Sequence, residues 1–297
     1  MGRAISTAVS GMSFLEGPRW HDQRLWFSDF YTHRVCSVTE DGGDLRVEAE
    51  VPNQPSGLGW LPDGRLLVVS MVDGRVLRRE PGGELVCHAD LSEHVTGHLN
   101  DMVVDSAGRA FVGEFGFDLM GGADFRPARL LRVDPDGSVH VAAEDMWFPN
   151  GAVLTDDGAL VVGETFGNRV SAFTVGADGA LTDRRTWAKF GEAPADRELA
   201  KMLPQTVLCP DGCCLDAEGA LWIADAVGGR AVRVLPGGEI VEEIKPGTGV
   251  FACTLGGSDG RTLYLCTAPD FDAAARSAAR EAALLAVRVD VARAGLP

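Results

Sequence analysis

Short apolar runs of four to six residues alternate with polar, glycine-bearing turns along nearly the whole chain. No segment holds a 3.6-residue apolar period for two turns, apart from one helical stretch, FDAAARSAARE at 271–281. That pattern predicts β-hairpins. Six segments share one layout: EGPRWHDQRLWFSDF from Glu16, SGLGWLPDGRLLVVSM from Ser56, NDMVVDSAGRAFVGEF from Asn100, NGAVLTDDGALVVGET from Asn150, DGCCLDAEGALWIAD from Asp211 and ACTLGGSDGRTLYLCTA from Ala252. Their starts lie 40, 44, 50, 61 and 41 residues apart. Gly64, Gly108, Gly158, Gly219 and Gly260 each stand eight residues after the first position of their unit, and Arg24 takes that place in the first. Third runs follow in most units (34–38, 75–80, 128–133, 169–173, 230–235), with weaker fourth runs such as 84–89 and 239–244.

Four short strands repeated six times predict an all-β protein, a single six-bladed β-propeller over residues 1–297. One blade cannot bury its own faces, so neighbours must stack. The segment 4–8 is expected to add an outer strand to the last blade and so tie the termini together. Insertions at 116–127, 190–205 and 271–281 are expected on the rims.

In a propeller the equivalent first positions form a ring about the axis. Here they are Glu16, Ser56, Asn100, Asn150, Asp211 and Ala252. Two carboxylates and two carboxamides facing one small space repel unless a cation lies between them. Hard oxygen donors suit a divalent ion such as Ca²⁺, Mg²⁺ or Mn²⁺ in the central channel. Asn-Gly and Asp-Gly also serve as ordinary turn dipeptides, as at Asp63-Gly64, but Asn150 and Asp211 precede the turn glycine by eight residues. Residues that end the second strands, Asp29, Ser70, Glu114, Glu164 and Asp225, are expected across from the ring, where they either orient ligands or are simply solvated. His98, two residues before Asn100, is a candidate on the same strand face. Phe30, Met71, Phe115 and Phe117, with Met120, Trp147, Phe148 and Phe166, either wall the site or pack between blades.

Composition narrows the partners. With 27 Lys and Arg against 43 Asp and Glu, the net charge of −16 argues against nucleic acid and against an anionic membrane surface. No apolar run approaches the roughly 20 residues that span a bilayer. MGRAISTAVSGMSF lacks the apolar core of a signal peptide. Seven cysteines without metal-ligand spacing read as free thiols, so the expectation is a cytoplasmic protein, with a monomer as default.

The words EGPRW (16–20), HLND (98–101), FPNG (148–151) and CPDGCCLDAEGALWIAD (209–225), in this order, resemble the gluconolactonase, regucalcin (senescence marker protein) and LRE family of six-bladed propellers. The resemblance runs from about residue 10 to residue 290. It implies one divalent ion at the channel floor, calcium first with zinc, manganese or magnesium as alternatives, and hydrolysis of a sugar-acid or related lactone. Matched residue by residue, Glu16, Asn150 and Asp211 are metal ligands. Asn100 contacts substrate, and the corresponding asparagine ligates the metal in the related squid-type diisopropyl fluorophosphatase. Asp211 is the residue that activates water or attacks directly, and His98, Asn100, Asp101 and Glu114 are the implied substrate contacts. His98 stands where animal gluconolactonases carry arginine, and Glu114 lies in a differing GEFGFD context. Both departures point away from gluconolactone itself. Phosphotriester hydrolysis at the same site, and a non-enzymatic calcium-binding propeller, are the competing readings.

Overall fold

A computed structural model of the chain describes residues 2–295. Six four-stranded antiparallel sheets follow one another around an axis. The first sheet comprises Leu15–His21, Arg24–Asp29, Arg34–Val38 and Arg46–Glu50. The inner strands of the other five are Pro55–Trp60, Leu99–Val104, Pro149–Leu154, Pro210–Leu215 and Gly249–Gly256. The last sheet takes its outer strand from the other end of the chain: Ile5–Met12 pairs with Ala282–Arg288. The expected six-bladed propeller and its closure by the N-terminal segment are what the structure shows.

The turn chemistry explains the spacing. Gly64, Gly108, Gly158 and Gly219 hold φ of +85°, +82°, +81° and +79°, a region open to glycine at little cost. The first unit is shorter because Asp22 and Gln23 both take positive φ, 47° and 58°, and close a two-residue turn between His21 and Arg24.

Buried apolar residues form clusters at the seams between blades. Leu67, Leu99 and Leu131 mark one seam, and Val161, Leu215 and Ile223 another. The seam that closes the ring joins Leu25 and Phe27 to Tyr264 and Leu284. Second strands such as Leu66–Ser70 are buried on both faces and read as unbroken apolar runs. Outer strands such as Val139–Met146 are largely exposed, which is why their apolar signal is weak.

The three insertions meet at one end of the axis, since Leu119, Leu203 and Phe271 line a single cavity there. The 190–205 insertion carries the short helix Leu199–Met202, and the third carries Ala273–Ala279, capped by Asp272 accepting from the Ala275 N–H at 2.7 Å. The insertions brace one another and the blades. The Phe125 N–H donates to the Arg197 carbonyl at 2.8 Å, and the Arg197 guanidinium lies 4.5 Å from the Trp147 ring centre. The Tyr31 hydroxyl donates to the Phe271 carbonyl at 2.6 Å. No helix among the described residues is long and apolar enough to cross a membrane.

Candidate metal centre

Each inner strand enters the channel through a β-bulge. Leu99 faces Glu114 and Met102 faces Val112, so the inner strand gains one residue on its partner, and Asn100 lies within the extra turn of backbone. Pro149 with Ala152 and Pro210 with Cys213 repeat this around Asn150 and Asp211. In the first blade the shift falls between Glu16 and Arg19. A bulge bends the strand and re-aims its side chains. Here it brings Glu16, Asn100, Asn150 and Asp211 to one cavity of about 480 Å³. The neighbouring backbones approach so closely that a Cβ on Gly57 would lie 2.3 Å from the Met102 nitrogen, and one on Gly151 2.4 Å from the Asp211 carbonyl oxygen. Glycine at these positions lets the inner strands converge. Ser56 and Ala252, the other two ring positions, do not line the cavity among the described residues.

The four polar residues are deeply set. Asp211, Asn100 and Asn150 keep 8%, 7% and 7% of their surface, while Glu16 stays half-buried, open to the cavity. Asn100 donates from Nδ2 to the Pro149 carbonyl at 3.4 Å, and Asn150 from Nδ2 to Thr165 Oγ1 at 3.3 Å. Both amide nitrogens are thereby engaged, and each Oδ1 is left to accept from, or coordinate, something in the cavity. Burial pushes the Asp211 carboxyl well above the usual range, and the charge of Asp101 adds to this. Burial does the same to Glu16, reinforced by Asp211 and Asp101, against a lowering by the Gly17 N–H and Arg19.

Asp101 is turned away from the cavity. Its Oδ1 accepts from Arg19 Nη2 at 2.7 Å and from the Met102 N–H at 2.8 Å, with both partners of the ion pair buried. Glu16, Asp211 and Asp101 set against Arg19 leave two uncompensated negative charges. Buried carboxylates without counter-charge either bind protons or bind a cation. Two carboxylates, two carboxamide oxygens and a deficit of two charges fit a divalent hard cation.

The second-strand acids sit one pleat out of phase with the expectation. Because of the bulge they pair with the residue before the ring position: Asp29 with Leu15, Glu114 with Leu99, Glu164 with Pro149 and Asp225 with Pro210. They therefore hold the loop that feeds the inner strand. Asp29 Oδ1 accepts from the Ser13 and Phe14 N–H groups at 3.0 Å each, and Asp225 Oδ1 from the Cys209 N–H at 3.0 Å. Glu114 accepts from the Gly116 and Arg129 N–H groups at 2.9 Å each. Glu114 is thus a fully buried staple away from the channel cavity rather than a contact for substrate there. His98 also stands off that cavity. Its ring packs at 5.7 Å from Phe115, and burial lowers its pKa, so it is neutral at pH 7. Asp101, locked to Arg19, likewise departs from the implied substrate set.

The cavity wall is aromatic. Phe30, Met71, Phe115, Met120, Phe148 and Phe166 line it as anticipated. Phe117 and Trp147 instead pack behind it against Phe125. Phe14, Phe251, Leu199 and Leu203 complete the wall and were not foreseen. Phe14, two residues before Glu16, and Phe251, directly before Ala252, lie within reach of the ring positions in sequence, whereas Leu199 and Leu203 arrive from the 190–205 insertion.

A six-bladed propeller with a ring of oxygen donors under an apolar cavity defines a class of small-molecule propeller proteins. Residues 14–269 match the model of the SMP-30/Gluconolactonase/LRE-like region, and the chain belongs to that family. It is 31% identical over 291 residues to pentonolactonase XacC of Haloferax volcanii, covering 95% of this chain and 92% of that one. It is 27% identical over 274 residues to 6-deoxy-6-sulfogluconolactonase of Pseudomonas putida, covering 89% and 87%. The crystal structure of a calcium-binding protein, regucalcin, from Agrobacterium tumefaciens shares the fold, with a TM-score of 0.79 at 19% identity over 100% of this chain and 97% of that one.

Proposed function

We infer that this chain is a lactonase: it opens a small lactone ring by hydrolysis, using a divalent cation held by Glu16, Asp211, Asn150 and Asn100. The observation that carries the reading is the convergence of these four oxygen donors, with two negative charges uncompensated, at the base of a cavity of substrate size. Lactone hydrolysis is also what the names of the pentonolactonase and sulfogluconolactonase relatives describe. Calcium is the first choice of ion, in keeping with the ligand chemistry and with the calcium-binding regucalcin that shares the fold.

When bound, such a cation polarises the lactone carbonyl and stabilises charge developing on its oxygen. Asp211, which lines the cavity, accepts the proton of the attacking water. Water oxygen bonds to the carbonyl carbon, the ring C–O bond breaks, and the departing alkoxide takes up the proton that Asp211 had accepted. Asn100 and Asn150 fix the orientation of the ester, and the aromatic wall keeps bulk water out. The seven cysteines are free, and none lines the cavity; burial pushes Cys36 and Cys209 up to about 12, so these two are thiols at neutral pH. Free thiols and an acidic surface suit a monomer in a reducing cytosol.

The test is chelation followed by restoration of Ca²⁺, Mn²⁺, Mg²⁺ or Zn²⁺, with proton release measured on a panel of lactones. Activity should vanish on chelation and return with one ion. Asp211→Asn should lower kcat by about 10²- to 10⁴-fold. Full metal-dependent activity in that variant would remove Asp211 from the proposed role. Metal binding with no turnover of any lactone would favour phosphotriester hydrolysis, and failing that, calcium binding alone.

A further inference from the structure

The wall above the ring has almost nothing to offer a hydroxyl group. Of its polar side chains outside the four ring residues, the Tyr31 hydroxyl already donates to the Phe271 carbonyl at 2.6 Å. Thr165 Oγ1 donates to the Pro210 carbonyl at 2.6 Å and accepts from Asn150. Asp270, at the exposed rim, is held at Oδ1 by Arg276 at 3.0 Å and by the Asp272 N–H at 2.9 Å and leaves only Oδ2 to the solvent side. The cations nearby are turned away: Arg19 is paired with Asp101, and Arg197 is stacked on Phe125 and Trp147. His98 packs against Phe115 and is not among the residues that line the cavity. A sugar-acid lactone carries several hydroxyls, and most of them would leave water for an apolar surface with few free partners, which costs binding.

What the wall does offer is apolar surface from every side. Phe14, Phe30, Phe148, Phe166 and Phe251 come from the blades, and Leu199 and Leu203 come from the 190–205 insertion. The apolar character continues outward at the mouth, where Met120, Val227 and Phe271 keep 46%, 58% and 48% of their surface in solvent. Large apolar side chains left exposed together at the rim of a cavity mark the approach of an apolar ligand.

We propose that the substrate is a lactone bearing an apolar substituent, of the size of a phenyl ring or a medium alkyl chain, in preference to a polyhydroxylated sugar-acid lactone. The proposal rests on the lactonase reading. The ring donors take the ester end, and the substituent lies against the phenylalanines. Burying a phenyl-sized group multiplies kcat/KM by roughly 10- to 100-fold over the bare ring.

Three five-membered lactones separate the possibilities, each assayed with the metal-loaded protein: γ-butyrolactone, γ-phenyl-γ-butyrolactone and a pentonic acid γ-lactone. The phenyl compound should exceed the bare ring by about tenfold or more, and the pentonic lactone should fall below the bare ring. Leu203→Asn and Leu199→Asn, which place an amide in the wall from a surface loop, should lower the phenyl-to-pentonic ratio at least about threefold. A pentonic lactone turned over as well as the phenyl compound would overturn the apolar preference and leave the lactonase reading standing. If no lactone is turned over, the lactonase reading fails. Calorimetry on the then intact lactones decides the preference separately: tighter binding of the phenyl compound supports it, and equal or weaker binding overturns it.

Discussion

Asp101 stands where four other inner strands carry glycine, at Gly17, Gly57, Gly151 and Gly212, and Arg19 is the reason. The guanidinium donates to Asp101 and to the Met102 carbonyl, both at 2.7 Å, and so ties the first blade to the third. It also supplies the positive charge that lowers the Glu16 carboxyl against the effect of burial. Removing one member of a buried pair strands the other charge, at a cost of about 3–5 kcal/mol. Arg19→Met should therefore destabilise the protein by about that amount in chemical denaturation, because it leaves Asp101 unpaired beside two further carboxylates. Arg19→Met combined with Asp101→Asn should regain more than half of the loss. A single substitution costing less than about 1 kcal/mol would show that the pair carries no weight in the fold. EGPRW and HLND were legible as words in the sequence, but nothing in either word told that Arg19 belongs with Asp101 rather than with a substrate.

At the scale of the element, the hairpin is the unit that the sequence revealed and the bulge is the one it concealed. The constant distance from ring residue to turn glycine survives in the sequence because a positive-φ position admits few residues. The bulge needs no special side chain, so Glu114 and its equivalents appeared to face the ring when they pair one residue earlier. Third strands were readable because both their faces are buried, as in Ala128–Val133. The exposed fourth strands were readable only in outline. Of the cavity residues from the insertions only Met120 was readable, since no period links Leu199 or Leu203 to the ring. The strand-end acids have a measurable consequence. Asp29 accepts two backbone N–H groups and the Ser13 hydroxyl, and it anchors Phe14 at the cavity wall. Asp29→Ala leaves those donors buried without an acceptor and should cost about 2–4 kcal/mol of unfolding free energy. Asp29→Asn, which keeps one acceptor oxygen, should cost less. An Asp29→Ala variant as stable as the parent would show that the loop finds other partners.

The whole molecule joins two carboxylate populations with opposite pH dependence. Burial pushes Glu164 up, but hydrogen bonds and charge from Arg169, with the Ser171 hydroxyl, more than offset this and leave its pKa below the ordinary value. A depressed folded-state pKa contributes stability that is present above the unfolded value, 4.5, and is lost as pH falls through the folded one. Glu16 and Asp211 run the other way. Their pKa values are raised in the folded chain, so their contribution is complete below the unfolded values of 4.5 and 3.8 and is lost as pH rises through the folded ones. The chelated protein should therefore be most stable on the acid side of neutrality and weaken towards pH 8. A divalent cation at the ring takes the place of those protons, and at a concentration of 100 Kd adds about 2.7 kcal/mol. Because protons compete with it, the gain in Tm on adding Ca²⁺ should grow between pH 5 and pH 8, and Glu16→Gln should abolish that growth while stabilising the chelated protein at pH 8. Thermal unfolding of both proteins with chelator and with Ca²⁺, across that range, measures all of this at once. A calcium increment independent of pH would mean that the ring carboxylates are not where the ion binds.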